Sequence, residues 1–180
     1  DKTMSNSTAI TEQVLLAYGW AKDSTVRVLS GGHINDTYLV DEKYVLQRIN
    51  HFVFPCPGDI IDNMLGVTSF LREKLTARGG DPGRDILQIV PAADGRPVYI
   101  DDSGNYWRCT LHIKDTVTYE TPDSPDMLFE AGRSFGDFQA MLGGYPAGTL
   151  HEIIKDFHNT PARLQQLKDA VRADPKGRLS

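Results

Sequence analysis

The first half of the chain alternates between apolar and polar residues at a spacing that predicts β-strands. Three runs, at residues 25–29, 37–40 and 44–49, are separated by short polar segments and predict an antiparallel meander. Further runs at residues 85–90, 97–100 and 106–112 predict more strands, the last two joined as a hairpin. Residues 8–20 carry apolar side chains on one face and predict a short helix before the first strand.

Helical spacing of apolar residues dominates the rest of the chain. A helix is predicted over residues 59–78, where apolar residues recur every three or four positions from Ile60 to Leu75. Two more helices are predicted to begin at Ser124 and Thr160, and Leu128, Phe135 and Phe138 are expected to form a core stripe of the first. A β-rich half followed by a helical half predicts an α+β fold and not alternating βαβ units.

Composition narrows the function classes. The chain has 180 residues and a net charge of −5, so it lacks the basic excess that nucleic-acid binding needs. We expect neither membrane insertion nor a signal peptide, because no stretch is long and apolar enough. Cys56 and Cys109 are far apart in sequence, which disfavours a disulfide framework or zinc site and favours a cytoplasmic location.

The turn between the first two predicted strands is the first candidate for chemistry. Gly31 and Gly32 have no Cβ to block the approach of phosphate oxygens to backbone N–H groups, and His33 and Asn35 follow directly. No Walker motif occurs in the chain. A plain Gly-Gly hairpin turn, without a ligand, is the alternative interpretation.

The end of the third predicted strand is the second candidate. Arg48 could neutralise phosphates there, although a solvated strand arginine is the common alternative. Because neighbouring side chains on a strand point to opposite faces, only one of Gln47 and Arg48 can reach a nucleotide. On the polar side of the long helix, Asp62 and Glu73 could offer a carboxylate to Arg48, or could simply form an exposed face.

Several segments together resemble a known family. Residues 31–38, 44–50, 130–139, 150–152 and 156–161 are similar, in order and spacing, to aminoglycoside-phosphotransferase-like kinases. Within that family the resemblance is greatest to the bacterial N-acetylhexosamine 1-kinases, and it extends over roughly residues 10–170.

The resemblance implies a protein-kinase-like fold. Residues 1–112 would form a nucleotide-binding lobe with a five-stranded antiparallel sheet and a helix, and residues 113–180 would form the hinge and the first helices of an incomplete helical lobe. Arg48 is preferred to Gln47 as the strand-three residue because it is charged, and Asp62 is preferred to Glu73 as the helix carboxylate. The residues expected to contact the nucleotide are Gly31, Gly32, His33, Asn35, Arg48, Asp62, Glu73, His112, Ile113 and Lys114.

The implied reaction is transfer of phosphate from ATP, with Mg²⁺, to a small hydroxylated molecule, most specifically the anomeric hydroxyl of an amino sugar. No His-x-Asp-x-x-x-x-Asn occurs, so catalytic and metal-binding residues are expected beyond Ser180, and the chain is expected to be an inactive N-terminal fragment. Such a fragment would expose apolar surface and self-associate. The alternatives are a non-catalytic nucleotide-binding module and a plain α+β interaction domain.

Overall fold

A computed structural model describes residues 10–29, 32 and 34–178 and contains one antiparallel sheet with helices. The strands in the described residues are β1 (Val26–Val28), β2 (Asp36–Val40), β3 (Tyr44–Ile49), β4 (Ile89–Val90), β5 (Tyr99–Ile100) and β6 (Tyr106–Leu111). Their order across the sheet is β1-β2-β3-β6-β4, and β5 also pairs with β6. The helices are α1 (Glu12–Ala17), α2 (Pro57–Ala77), α3 (Pro82–Asp85), α4 (Pro125–Met141) and α5 (Thr160–Ala173). The predicted α+β class with an antiparallel sheet is confirmed.

The turn between β2 and β3 fixes the meander. Asp41 and Glu42 both have a φ of +51°, the left-handed conformation that a tight hairpin turn needs. The Asp41 carboxylate also accepts a hydrogen bond from the N–H of Thr25 at 2.8 Å, just before β1. The same residue therefore closes one hairpin and anchors the edge strand.

One face of the sheet is covered by α1 and forms the main core. Val14 and Leu15 of α1 pack with Leu46, Trp107 and Cys109 of the central strands, and all five are buried. Across this core, the hydroxyl of a sixth residue, the buried Tyr18, donates a hydrogen bond to the Trp107 carbonyl at 2.9 Å. The apolar alternation of β3 and β6 is what places these side chains on one face.

The opposite face of the sheet meets α2. This helix also contacts the end of α4 and the chain after it: the Lys74 ammonium donates to the Met141 carbonyl at 2.8 Å, and the Phe70 ring meets the Tyr145 ring edge-on at 5.2 Å. A Cβ on Gly66 would lie 2.5 Å from the Tyr145 hydroxyl, so any larger residue at this position would displace the Tyr145 ring. The helix therefore bridges the sheet and the following segment.

Three expectations need correction. The family resemblance implies five strands, but the sheet of the described residues has six, as the six alternating runs predict, because β5 adds a short pairing to β6. Residues 82–85 form a helical turn capped by Asp81, whose side chain accepts from the Gly83 N–H, so the strand predicted at 85 begins only at Ile89. The predicted core stripe of α4 is exposed: Leu128 is 59%, Phe135 71% and Phe138 41% accessible.

Candidate functional site

A row of polar side chains crosses three neighbouring strands on the α2 face of the sheet. Gln47 on β3 lies opposite Arg108 on β6 and Thr37 on β2. The Nε and Nη2 groups of Arg108 donate to the Oε1 of Gln47 at 3.0 and 2.8 Å. The Nε2 of Gln47 in turn donates to the Thr37 hydroxyl at 3.1 Å. The row holds the guanidinium in a fixed orientation.

Arg108 is a half-buried cation without a counter-ion among the described residues. Its third contact is from Nη1 to the sulfur of Met64 on α2 at 2.8 Å, where a carboxylate would have balanced its charge. Burial lowers the pKa of the Arg108 guanidinium, yet an arginine stays protonated at neutral pH. An uncompensated positive charge at a recessed position favours an anionic ligand.

Two cavities adjoin Arg108. The smaller, about 350 Å³, lies between the sheet and residues 112–116, and Val45, Thr110 and Ile113 line it. The N–H of His112 is already donated to the Lys43 carbonyl at 2.8 Å. The N–H of Ile113 has no acceptor in the described part of the chain, so a ligand in this cavity can use it.

The larger cavity has a volume of about 580 Å³ and lies on the other side of Arg108. Ile49 and Ile60 form part of its apolar lining, Asn35 lies at its edge, and residues 152–154 and 156–159 form a wall. Phe157, His158 and Asn159 precede α5 and belong to this wall. They line the cavity, and Asn159 caps α5 by accepting from the N–H of Ala162 at 3.2 Å.

Gln47, and not Arg48, shares this face of the sheet with Arg108. Arg48 lies on the opposite face, where its Nε donates to Asp36 Oδ2 at 2.7 Å and its Nη1 to Asn105 Oδ1 at 3.4 Å. It lines a separate cavity of about 140 Å³. The Asp36 carboxylate already balances the charge of Arg48. That charge was the reason for preferring Arg48 to Gln47 as the nucleotide contact, and it is not left unpaired for a phosphate.

The two helix carboxylates do not approach Arg48. The Asp62 side chain is 67% accessible, and its Oδ2 lies 3.8 Å from the Nε2 of His151. Glu73 is exposed and forms no ion pair within the described residues. The α2 residue that contacts the strand cation is Met64, which is why Arg108 keeps its charge unbalanced.

Of the remaining predicted residues, only Asn35 lines one of the two cavities beside Arg108, whereas Gly32 and Lys114 line neither. Asn35 lines the larger one, and its Oδ1 accepts from the N–H of Asn50 at 3.0 Å. Gly32 is open, since an added Cβ would meet only the Asn35 carbonyl at 3.8 Å. The Lys114 carbonyl accepts from Arg84 at 3.3 Å. The predictions for Gly31 and His33 lie outside the described residues.

One group of three potential metal ligands occurs in the described residues. Atoms of Asp59, Asp62 and His151 all lie within 4.8 Å of one another. The group includes an imidazole, whereas Mg²⁺ prefers oxygen ligands throughout. This group therefore does not match the all-oxygen ligand set that Mg²⁺ prefers.

Sequence reasoning missed Arg108, Thr110 and most of the wall at residues 152–159. The sequence did contain a signal for Arg108. It lies between Trp107 and Cys109, two apolar residues that are expected to be buried on one face of a central strand, so Arg108 must lie on the other face. An arginine in such a strand must face a cavity, a partner or solvent at the sheet surface.

No family model matches the chain. It is similar to a solved structure, that of the microcompartment-associated aminopropanol kinase, with 22% sequence identity and a TM-score of 0.47. The alignment covers 78% of this chain and 42% of that one, so the chain spans less than half the length of that kinase. No helix in the described residues combines the length and hydrophobicity needed to cross a membrane.

Proposed function

We propose that the chain binds ATP in the cleft between the sheet and α2 and takes part in transferring the γ-phosphoryl group to a small hydroxylated molecule. The observation that carries the proposal is Arg108, an unbalanced cation located where two cavities meet. Phosphoryl transfer depends mainly on positioning and on neutralising charge. A fixed guanidinium in a partly dehydrated cleft supplies that neutralisation.

The adenine ring occupies the smaller cavity in this proposal. Val45, Thr110 and Ile113 offer apolar contact surface to a flat base, and the free N–H of Ile113 offers a hydrogen bond to a ring nitrogen. Among the predicted hinge residues, His112 contributes lining only, because its own N–H is donated to Lys43.

The phosphates extend from this cavity towards Arg108. The guanidinium is held by Gln47, so binding a phosphate requires little further ordering of its side chain. Backbone N–H groups of the turn at Gly31 and Gly32 would complete the phosphate site, as the family resemblance implies.

The finer proposal is that residues 1–112 form the nucleotide lobe and residues 113–180 the hinge and the start of a helical lobe. The acceptor would be an N-acetylhexosamine phosphorylated at its anomeric hydroxyl, with Mg²⁺ accompanying ATP in a cytoplasmic protein. These statements are supported by the family resemblance, which is carried by residues 31–38, 44–50, 130–139, 150–152 and 156–161.

Calorimetric titration of the chain with a non-hydrolysable ATP analogue and Mg²⁺ tests nucleotide binding. Thr116 lines the smaller cavity from an exposed loop, so Thr116→Trp fills the cavity without disturbing the core. Thr118 is exposed on the same loop and does not line the cavity, so Thr118→Trp is the matched control.

We expect one-site binding that weakens by about tenfold or more, equal to about 1.4 kcal/mol, in Thr116→Trp and is unchanged in Thr118→Trp. Absence of analogue binding by the unmodified chain, or equal affinities of the two variants, would contradict the assignment of the base to this cavity.

A further inference from the structure

Three side chains that commonly bind metal ions converge near the beginning of α2. Asp59 and Asp62 lie three positions apart on this helix and therefore share a side of it. His151 reaches them from the segment between α4 and α5. None of the three lines either cavity beside Arg108. The proposed function therefore makes no use of this group.

The imidazole of His151 lies between the two carboxylates without forming a hydrogen bond to either. Its Nδ1 is 3.9 Å from Asp59 Oδ1, and its Nε2 is 3.8 Å from Asp62 Oδ2. Both distances exceed the ~2.7–3.2 Å of an N–H···O hydrogen bond. The three side chains also have no hydrogen-bond partner elsewhere in the part of the chain that the structure describes. Their lone pairs thus point into one small region and remain unused.

The group carries an excess of negative charge. Within the described residues, the carboxylates of Asp59 and Asp62 approach no lysine or arginine closely enough to form an ion pair. Like charges at this spacing on a helix repel each other and destabilise it. A neutral imidazole cannot balance them, whereas a divalent cation would balance both carboxylates at once.

The separations are close to those of a four-coordinate metal site. Bonds of about 2.0–2.2 Å at a tetrahedral angle place neighbouring ligand atoms roughly 3.4 Å apart. One atom from each of the three residues lies within 4.8 Å of the other two. Only one ring nitrogen binds a given ion, so the side chains must turn slightly towards it. The Asp62 and His151 side chains are 67% and 46% accessible, which leaves them room to do so.

The ligand types select the class of metal. Imidazole nitrogen suits zinc and similar transition metals, whereas Mg²⁺ and Ca²⁺ prefer oxygen ligands. The separation of Cys56 and Cys109 in sequence disfavours a zinc site made of cysteines, but this group needs neither thiol. We propose that Asp59, Asp62 and His151 bind a divalent transition-metal ion, best matched by Zn²⁺, which links α2 to the segment after α4.

The backbone at His151 is already held in place for this role. The side chain of Asn63, which follows Asp62 on α2, donates to the His151 carbonyl and accepts from the His151 N–H, both at 2.9 Å. These contacts leave the imidazole itself free. A site whose ligands are positioned before the ion arrives loses less entropy on binding.

The ion would act on the wall of the larger cavity. Residues 152–154 and 156–159 form that wall and follow His151 directly. A metal bond from His151 to α2 adds a second attachment beside the Asn63 hydrogen bonds. Because the ion binds only the folded arrangement, it should stabilise that arrangement and slow local opening of the wall.

Calorimetric titration of the chelator-treated chain with Zn²⁺, in an excess of Mg²⁺ and without nucleotide, tests the site. His151→Gln removes the imidazole and leaves the backbone contacts of Asn63, and Asp62→Asn removes a carboxylate charge. The matched controls are His158→Gln and Asp126→Asn, both at exposed positions outside the group. Cys56→Ser removes the exposed thiol.

We expect one Zn²⁺ to bind the unmodified chain, both controls and Cys56→Ser with equal affinity. The affinity should be lower by about tenfold or more in His151→Gln and in Asp62→Asn. Zn²⁺ should slow amide hydrogen exchange at residues 152–159 in the unmodified chain and leave it unchanged in His151→Gln.

Three results would overturn the inference. They are absence of saturable Zn²⁺ binding in excess Mg²⁺, equal affinities in His151→Gln and His158→Gln, and a loss in Cys56→Ser as great as that in His151→Gln, which would assign the ion to the thiol. Zn²⁺ binding without slower exchange at residues 152–159 would overturn the link to the wall. Because no nucleotide is present, these outcomes are independent of whether the chain binds ATP.

Discussion

Gln47 accepts two hydrogen bonds from Arg108 through one oxygen, with 3.0 Å from Nε and 2.8 Å from Nη2 to Oε1. The amide is neutral, so it orients the guanidinium without cancelling its charge. A carboxylate in the same position would have formed an ion pair and reduced the attraction for an anion. The pair thus keeps a rigid positive charge available at the junction of the two cavities.

Gln47→Leu should destabilise the fold. The half-buried guanidinium would lose its main acceptor, which costs roughly 1–3 kcal/mol of unfolding free energy. Gln165→Leu is the control, because Gln165 is exposed on α5, and its change should stay within about 0.5 kcal/mol. Urea denaturation followed by circular dichroism measures both, and equal stabilities would mean that Arg108 does not depend on Gln47.

Asn63→Leu should loosen the wall of the larger cavity. The substitution removes both hydrogen bonds to the His151 backbone, so the segment that leads into residues 152–159 is held less firmly to α2. Amide hydrogen exchange of residues 152–159 should become faster, while affinity for the ATP analogue stays within about twofold. Ser69→Leu, at an exposed position of the same helix, should change neither. A loss of affinity for the ATP analogue as well would indicate a general folding defect.

The two cysteines should react with a thiol reagent at very different rates. Cys56 is exposed and Cys109 is buried, and burial raises the pKa of the Cys109 thiol to about 12. Thiolate is the reactive form, so at pH 8 only Cys56 should react in the folded protein. Ellman's reagent should titrate one thiol quickly and the second only after denaturant is added. Two fast thiols would contradict the buried position of Cys109.

Asp101 should make stability depend on pH in the acid range. Burial alone would raise the pKa of its carboxyl group, but hydrogen bonds from Trp107, Asn105 and Ser103 outweigh burial and lower the pKa. The contribution to stability is therefore fully present above the unfolded pKa of about 3.9 and is lost as pH falls through the lower folded pKa.

Asp101→Asn should abolish that part of the acid dependence and should lower stability at pH 7, because the indole N–H of Trp107 donates to Asp101 Oδ2 at 2.8 Å. Denaturation midpoints measured between pH 7 and pH 3 provide the comparison. Asp102→Asn is the neighbouring exposed control. A pH profile of Asp101→Asn that parallels the unmodified chain would remove Asp101 from the explanation.

The sequence predicts those parts of the fold that depend on local pattern. β3 begins and ends where alternation places it, at Tyr44 and Ile49, and α2 differs by one or two residues at each end. The exposed face of α4 could not be predicted, because an apolar stripe shows that a helix has a surface to bury and does not show whether these residues bury it.

The candidate site was harder to predict than the fold, for a physical reason. In sequence, Arg48 and Arg108 are both strand arginines, and charge alone favours neither. What distinguishes them is the partner across the sheet, Asp36 for one and Gln47 for the other, and this pairing depends on register and face. The cavity wall at residues 152–159 likewise depends on contacts that bring a distant segment to α2, among them the two hydrogen bonds between Asn63 and the His151 backbone.

The most direct test of nucleotide binding compares two arginine variants in one calorimetric titration with the ATP analogue and Mg²⁺. Arg108→Gln removes the unbalanced charge between the cavities, and Arg48→Gln removes an equal charge from the opposite face. We predict a loss of affinity of about tenfold or more for Arg108→Gln and a change below about twofold for Arg48→Gln. Equal losses, or a greater loss for Arg48→Gln, would contradict the assignment of the phosphate site to Arg108.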